Sequence, residues 1–315
     1  MRTVKQILPL TMAMAALLLL FGLWVPNFIS PENMLDLIQQ ISVNAILAFG
    51  MTLVILIGGI DLSVGALLAL VGTTTVYILT KGQLDEQNLW WLASAVLAGL
   101  GVAAGFGAFN GLCAAKTKMP PFIITLAMML VARGMALRFN EGRPMHIPDQ
   151  QAAFLSLGNG RVFGVIPVPV VVMLTLFAIV TILLHRTRFG QHLYAIGGNR
   201  EAARFTGIPI VRNEILVYLI CSILAGLAGM IHTSQLYSAE PASGVMFELN
   251  AIAAAVVGGT SFTGGRGTMY GTLIGAIIIG ILDKGLNQAG VHFSLQYIVK
   301  GSVILTAVYL DVRRR

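Results

Sequence analysis

The side chains that could carry chemistry are few, and their spacing does not match a known catalytic site. The five histidines do not form the H-E-x-x-H spacing of a zinc enzyme, and no G-x-S-x-G element surrounds Ser63 or Ser261. Gly259 to Gly264 approximates a phosphate-binding loop, but Gly265 and Arg266 stand where that motif requires Lys and then Ser or Thr. The sequence therefore predicts a non-catalytic chain with no catalytic residue, no cofactor, no metal site and no ATP binding of its own.

The composition is that of an integral membrane protein. The chain has 315 residues, of which 57% are hydrophobic and 10% charged, and its mean hydropathy is +0.84. A soluble domain carries about 25% charged residues, so this chain lacks the polar surface that such a domain needs. We expect one transmembrane domain over residues 1–315. The two cysteines, Cys113 and Cys221, fall in apolar segments and are predicted to be small core residues.

Apolar segments occupy most of the chain. They predict an all-α, polytopic membrane protein with about ten transmembrane helices. Their expected bounds are 7–25, 34–57, 62–80, 89–114, 121–139, 165–184, 215–236, 249–263, 268–282 and 293–310. The first segment has the basic start of a signal peptide, but its apolar run continues to Val25, which favours a retained helix.

Basic residues mark the ends of these segments. With the N-terminus in the cytoplasm, 13 of the 20 Lys and Arg residues fall on the cytoplasmic side: Arg2, Lys5, Lys116, Lys118, Arg186, Arg188, Arg200, Arg204, Arg212, Arg266, Arg313, Arg314 and Arg315. This asymmetry predicts an even number of spans with both termini inside. The net charge of +7 is spread along the chain rather than gathered in one patch, which argues against a nucleic-acid partner.

One acidic residue, Asp61, stands between two apolar segments in "GGIDLSVG", residues 58–65. The charge asymmetry places it at the cytoplasmic turn between the second and third spans. A charge at mid-bilayer costs about 2.5–3.5 kcal/mol on insertion scales, and at a turn this cost largely vanishes. We therefore predict that Asp61 faces the cytoplasm and caps the next helix; a proton relay is the alternative.

The same arrangement recurs two hundred residues later. "GGIDLSVG" at 58–65 aligns with "GGTSFTGG" at 258–265. Glycine-interrupted spans in corresponding positions of two halves point to a transport pathway, although glycine also serves close helix packing in membranes. The candidate residues at these breaks are Gly58, Gly59, Asp61, Gly65, Gly258, Gly259 and Gly265. Further pathway candidates are Asn44, Phe49, Phe247 and Asn250.

Ten spans without catalytic residues indicate a transporter or a channel. A secondary transporter normally carries coupling carboxylates or cations in mid-span. Arg133 and Lys300 are the clear candidates here, and this scarcity indicates that the energy comes from another subunit. A secondary transporter of a small polar solute remains the alternative, and a membrane-embedded enzyme is a third class.

The loop "GGNREAARFTGIP" carries a recognisable spacing. Glu201-Ala202-Ala203 followed by Gly207 has the E-A-A-x-x-x-G pattern and resembles the ABC-importer permeases. Three further blocks, including "PNFISPENMLDLIQQISVNAILAFGMTLVILIGGIDLSVG" and "ELNAIAAAVVGGTSFTGGRGTMYGTLIGA", resemble the ribose-type sugar permeases of bacteria. Together the blocks extend from about residue 26 to 311.

The resemblance implies a function and a set of partners. It implies a permease subunit, in the bacterial inner membrane, of an ABC importer for ribose or a related monosaccharide. The implied partners are a second permease copy, an ATP-binding subunit and an extracytoplasmic sugar-binding protein. The loop would dock on the ATP-binding subunit through Gly198, Asn199, Glu201, Ala202, Ala203, Arg204 and Gly207. Ala202 and Ala203 would permit close approach, and Gly207 would end the loop helix.

Overall fold

The computed structural model describes residues 2–81 and 89–313. Its α-helices are α1 Arg2–Trp24, α2 Pro31–Leu56, α3 Val64–Lys81, α4 Leu89–Lys116, α5 Pro121–Arg138, α6 Ala152–Asn159, α7 Val168–Arg186, α8 Arg188–Gly198, α9 Arg200–Phe205, α10 Ile210–Gln235, α11 Phe247–Val257, α12 Met269–Gln288 and α13 Phe293–Arg313. The strands are two residues each: β1 Met145–His146, β2 Arg161–Val162, β3 Ile166–Pro167 and β4 Ser238–Ala239. β1 pairs with β4 and β2 with β3, both antiparallel.

The helical architecture agrees with the all-α prediction. Each of the ten apolar segments coincides with a helix, and seven helices in the described residues are long and apolar enough to cross a membrane: α2, α3, α4, α5, α7, α10 and α12. The predicted span 249–263 is wrong in its bounds, because α11 ends at Val257, where a glycine break begins. Its 11 residues rise about 17 Å, roughly half of a bilayer core.

The centre of the bundle is formed by α2 and α10. Nearly every α2 residue from Ile41 to Leu56 is buried, and α10 packs against α2, α3 and α4. Small residues make these crossings close: a Cβ on Gly107 of α4 would lie 2.8 Å from the Leu219 backbone, and one on Gly50 would lie 2.9 Å from the Cα of Cys221. Such small-residue contacts are how membrane helices associate without a hydrophobic driving force between them. Cys221 is a buried core residue as predicted, whereas Cys113 is half-buried.

The outer helices present apolar side chains outward. In α4, α5 and α7, less than a third of the most apolar stretch is buried within the chain, and Leu97, Leu130 and Ile182 are exposed. An apolar surface of this extent is suited to lipid or to another apolar helix surface. The chain is thus a multi-pass membrane protein.

The two ends of the bundle differ in charge. At one end, Lys116, Arg200, Arg204 and Arg212 line a common groove of about 790 Å³ beside α9. We call this the basic end; it holds α8, α9 and the start of α10. The opposite end, where α10 finishes at Gln235, holds a polar cavity and is called the cavity end. The clustering of cations at one end follows the asymmetry seen in the sequence, and the assignment of that end to the cytoplasm stays a prediction.

Candidate coupling and translocation site

The loop helix α9 has both ends fixed by local hydrogen bonds. Asn199 caps its start, because the Asn199 Oδ1 accepts a bond of 2.9 Å from the Ala202 N–H. At its end, Gly207 adopts φ +79°, and its N–H donates to the Arg204 carbonyl at 3.1 Å while the Ile208 N–H donates to that of Ala203. This left-handed cap is the conformation that glycine adopts without strain. Gly207 therefore ends the helix, as the sequence predicts.

One face of α9 is anchored to its own chain. The Arg200 guanidinium pairs with the buried carboxylate of Glu214 on α10, and the second of its two hydrogen bonds, from Nη2 to Oε2, is 3.0 Å long. Ala203 lies against the chain with 3% of its surface exposed. The expectation that Ala203 meets a partner is wrong for this structure, because the helical period turns position 203 inward.

The opposite face of α9 is open. Glu201, Ala202, Arg204 and Gly207 are exposed, as their expected docking role requires. Phe205, at the end of the helix, is 87% exposed. Sequence reasoning missed this residue; an aromatic side chain in an otherwise polar loop was the available signal.

The loop meets both glycine breaks at one point. Gly197, near the end of α8, lies so close to the Leu56 carbonyl and the Gly265 amide that a Cβ would overlap both. The Gly265 N–H donates to the Leu56 carbonyl at 2.9 Å, and a Cβ on Gly264 would lie 2.8 Å from that oxygen. We call Leu56, Gly197, Gly264 and Gly265 the glycine junction. Three segments far apart in sequence touch here through backbone atoms.

A tyrosine strengthens this junction. The Tyr194 hydroxyl on α8 donates to the carbonyl of Gly267 at 2.7 Å. Burial raises the pKa of Tyr194 to about 12, so the phenol keeps its proton and remains a donor across the physiological pH range. The side chain therefore ties α8 to the second break independently of the glycines.

The two breaks share a helix-ending geometry. In the first, Gly58 has φ +79°, its N–H donates to the Ile55 carbonyl, and the Gly59 N–H donates to that of Val54. In the second, the same two bonds are made from Gly259, with φ +92°, and from Thr260. Gly58 thus corresponds to Gly259 rather than to Gly258, and the predicted register is wrong by one residue. Each break begins with two successive glycines, and the sequence does not show which of the two takes the left-handed conformation.

The other break glycines serve close packing. A Cβ on Gly65 would overlap the Gly244 carbonyl and the Glu248 carboxylate, so α3 approaches the start of α11 here. A Cβ on Gly258 would overlap the Gly271 carbonyl, where α11 and α12 cross. Gly259 has open space around it and needs glycine for its backbone angle alone.

Asp61 lies inside the protein rather than at an exposed turn. It is 0% exposed, and its Oδ1 accepts hydrogen bonds from the N–H and the hydroxyl of Ser63. Asn110 of α4 donates to the Ser63 hydroxyl at 3.0 Å, and Thr125 of α5 donates to the Ile60 carbonyl at 3.1 Å. The expectation of exposure is wrong because α4 and α5 cover this turn. Asp61 does bind the amide that directly precedes α3.

A polar cavity of about 450 Å³ lies at the cavity end. Asn44 and Phe247, two of the four pathway candidates, line it. Phe49 is instead fully buried, with its ring centroid 5.7 Å from that of Phe177, and Asn250 is buried outside the lining. The other polar lining residues are Asp36, Gln39, Gln40, Asn159, His232, Gln235, Asp283 and Lys284. Sequence reasoning missed this set because its members come from helices far apart in the chain.

The two mid-span cations have partners. Arg133 Nη1 donates to the carbonyls of Pro241 and Ser243 at 2.5 and 2.7 Å. Lys300 Nζ lies 2.9 Å from Asp283 Oδ1. Arg133 therefore holds the segment before α11, and Lys300 holds α13 on α12.

These features define a class. The chain is a polytopic helical bundle with interrupted helices, a polar cavity at one end and a loop anchored on its own chain at the other. This combination is typical of membrane transport proteins. A model of the family described as "branched-chain amino acid transport system / permease component" matches residues 33–308. The chain belongs to this family of permeases.

Curated relatives match nearly the whole chain. The ribose import permease protein RbsC of Bacillus subtilis (strain 168) is 45% identical over 298 residues, covering 95% of this chain and 90% of the relative. RbsC of Escherichia coli (strain K12) is 45% identical, covering 96% and 92%. The D-allose transport system permease protein AlsC of the same strain is 37% identical, covering 95% and 89%. No solved structure matches the chain.

The glycine junction predicts a contrast between neighbouring glycines. Gly197→Ala should free the loop and lower the thermal unfolding midpoint in detergent, because the added Cβ overlaps two backbone groups. Gly198→Ala, whose Cβ would meet nothing within 4 Å, is the matched control and should behave like the parent. Unfolding and limited trypsin cleavage at Arg200 and Arg204 would be measured. Equal midpoints and equal cleavage for both variants would contradict the junction.

The corrected register predicts equal effects at Gly58 and Gly259. Alanine at either position is forced into the left-handed region, which costs about 1–2 kcal/mol, while asparagine tolerates it better. Both alanine variants should therefore lose similar stability in an SDS-unfolding titration, and both asparagine variants should recover part of it. A large loss at one position with none at the other would contradict the structural equivalence of the breaks.

Proposed function

We propose that the chain is the membrane-spanning permease subunit of an ABC importer for ribose or a related monosaccharide. The observation that carries this is the 45% identity to ribose import permeases along nearly the full length of both chains. Relatives named for allose and arabinose are less similar, at 37% and 34%, which favours ribose. The chain contributes the path as a single transmembrane domain, and a partner subunit hydrolyses ATP.

The exposed face of α9 is the proposed contact with the ATP-binding subunit. A fixed short helix with one anchored face and one open face presents a rigid surface, which limits the entropy lost on binding. Phe205 suits a pocket on the partner, since aromatic anchors surrounded by polar residues dominate interface energies. The adjacent groove, lined by Lys116, Arg204 and Arg212, would meet acidic side chains of that subunit.

The glycine junction is the proposed route from this contact to the pathway. Backbone atoms in direct contact cannot yield by changing a rotamer, so a displacement of α8 acts at once on α2 and on the second break. The hydrogen bond from Tyr194 to Gly267 also links α8 to the second break. ATP-driven movement of the docked loop would therefore change the angle between the interrupted helices.

The proposed orientation places the basic end in the cytoplasm of a bacterium and the cavity end toward the sugar-binding protein. The clustering of Lys116, Arg200, Arg204 and Arg212 at one end supports it. Both termini are then cytoplasmic. Segment 236–246 and α11 together return the chain from the cavity to the glycine junction, which retains the expected even number of crossings. A second permease copy completes the importer.

The distribution of mid-span charge supports an external energy source. Lys300 pairs with Asp283, which lines the cavity. In the described residues, Arg133 is held by two backbone carbonyls and lies outside the cavity lining, whereas ion-coupled transporters keep such cations in the substrate or ion pathway. This favours an ABC subunit over a secondary transporter.

Reconstitution tests the proposed function. Liposomes containing the permease should take up labelled ribose only when the ATP-binding subunit, internal ATP and a loaded sugar-binding protein are all present. Dissipation of the membrane potential and proton gradient should leave uptake unchanged. Uptake by the permease alone that collapses with an uncoupler would establish the secondary transporter instead.

The docking surface predicts the effect of removing its aromatic residue. Phe205→Ala should weaken association with the ATP-binding subunit about thirtyfold or more, because interface anchors of this type are worth about 2 kcal/mol or more. Phe163→Ala is the matched control, since Phe163 is 94% exposed but lies on the β2–β3 connection at the cavity end. Co-purification and ATPase stimulation would be measured. Full association of the Phe205 variant would remove Phe205 from the interface.

A further inference from the structure

The cavity at the end opposite α9 has the chemistry of a sugar site. We propose that it binds a neutral monosaccharide within the permease itself, so that the sugar leaving the binding protein has a defined stop before the glycine breaks. The identity of the ligand as a monosaccharide rests on the proposed function. The existence of a site rests on the geometry of the lining.

The lining is rich in side-chain amides. Gln39, Gln40 and Asn44 come from α2, Asn159 from the end of α6 and Gln235 from the end of α10. Each amide offers one acceptor oxygen and two donor hydrogens. A sugar hydroxyl both donates and accepts, so this lining can satisfy several hydroxyls without bringing in charge.

Several of these amides are already oriented. Gln39 Nε2 donates to the Gly158 carbonyl at 2.8 Å, and Asn159 Nδ2 donates to the Ser234 carbonyl at 2.7 Å. Their amide oxygens accept no hydrogen bond from the part of the chain that the structure describes. The Asn44 Oδ1 also has no partner there, but it is inaccessible to solvent and would reach a ligand only if the side chain rotates. Fixed donors and unoccupied acceptors favour a ligand that supplies hydroxyl donors, and they reduce the ordering cost of binding.

An aromatic ring adds a flat apolar wall. Phe247 lines the cavity, and the His232 ring lies edge-on to it with centroids 5.3 Å apart. Small-molecule sites combine such apolar walls with a few placed polar groups. A sugar ring has an apolar C–H face and a polar hydroxyl edge, so the two kinds of wall suit its two surfaces.

Two of the three charged side chains that line the cavity in the described residues, Asp283 and Lys284, are engaged within the chain. Asp283 pairs with Lys300 at 2.9 Å, and Lys284 Nζ donates to the Asn33 carbonyl at 3.1 Å. Asp36 lies exposed on α2, the helix that also carries Gln39 and Asn44. A ligand that pairs with Asp283 or Lys284 would have to compete with these contacts, whereas a neutral polyol would not. The cavity volume of about 450 Å³ falls in the range of about 300–1,000 Å³ for small-molecule sites.

The position of the cavity fits a stop on the path. Phe247 is the first residue of α11, and the second break follows the last residue of that helix, about 17 Å away at 1.5 Å per residue. α2 likewise carries Asn44 in the cavity lining and Leu56 in the glycine junction. α2 therefore joins the lining to the junction directly, and α11 joins the lining to the second break, which contains Gly264 and Gly265.

Sugar binding to the permease alone tests the proposal. The purified chain in nanodiscs, without partners or ATP, would be probed with D-ribose by saturation-transfer difference NMR. The parent should give a saturable signal, and Phe247→Ala and Asn44→Leu should each weaken binding at least tenfold. Phe109→Leu, at an exposed aromatic of α4 outside the lining, is the control and should stay within twofold of the parent.

Uptake by the assembled importer is the second measurement. It separates loss of the binding site from misfolding of a variant and from failure of the proposed function. Each variant would be assembled into the full importer, and ribose uptake would be measured at saturating loaded binding protein. Lower maximal uptake by the lining variants, with unchanged co-purification of the ATP-binding subunit, supports the site. Ribose uptake by the parent without saturable binding to the permease alone, as would occur if lipid fills the cavity, overturns the site but leaves the proposed function standing. Binding without any ATP-dependent uptake overturns the function instead.

Discussion

The hydrogen bond from the Gly265 amide to the Leu56 carbonyl is the contact on which the rest of the basic end depends. It joins the end of α2 to the turn that follows α11. Gly197 packs against both partners so closely that there is no room for a Cβ at this position. Any side chain at Gly197 or Gly264 would separate these backbones. The loop that contains α8 and α9 and the two glycine breaks therefore form one structural unit.

The sequence predicted the helices well because their signal is local. Long apolar runs with charged ends define a membrane helix wherever it packs, so the ten segments coincide with ten helices. The predicted end of one segment, 249–263, was wrong. Its apolar composition continues through Gly258 and Gly259, but the left-handed conformation of Gly259 ends α11 early. Composition does not reveal which of two adjacent glycines takes that conformation.

Properties that depend on tertiary packing were harder to predict. Asp61 had the pattern of an exposed turn residue, yet α4 and α5 cover it and Ser63 satisfies one of its oxygens. Ala203 belonged to a recognisable motif, yet its side chain faces inward while Phe205 faces solvent. The amides of the cavity were invisible as a group because Gln39 and Gln235 lie on helices far apart in sequence. In each case the local helix or turn was predictable and its neighbours were not.

Because α2 is long, a small rotation at the glycine junction displaces the residues at the other end of the helix. Its 26 residues form a rod about 39 Å long, with Leu56 at one end and the amides of the cavity toward the other. If α2 pivots at Leu56 by about five degrees, Gln39, about 26 Å from that pivot, moves by about 2 Å, which is enough to break a hydrogen bond of ordinary length. Very small rotations at the basic end are therefore sufficient to make or break the polar contacts of a bound molecule at the cavity end.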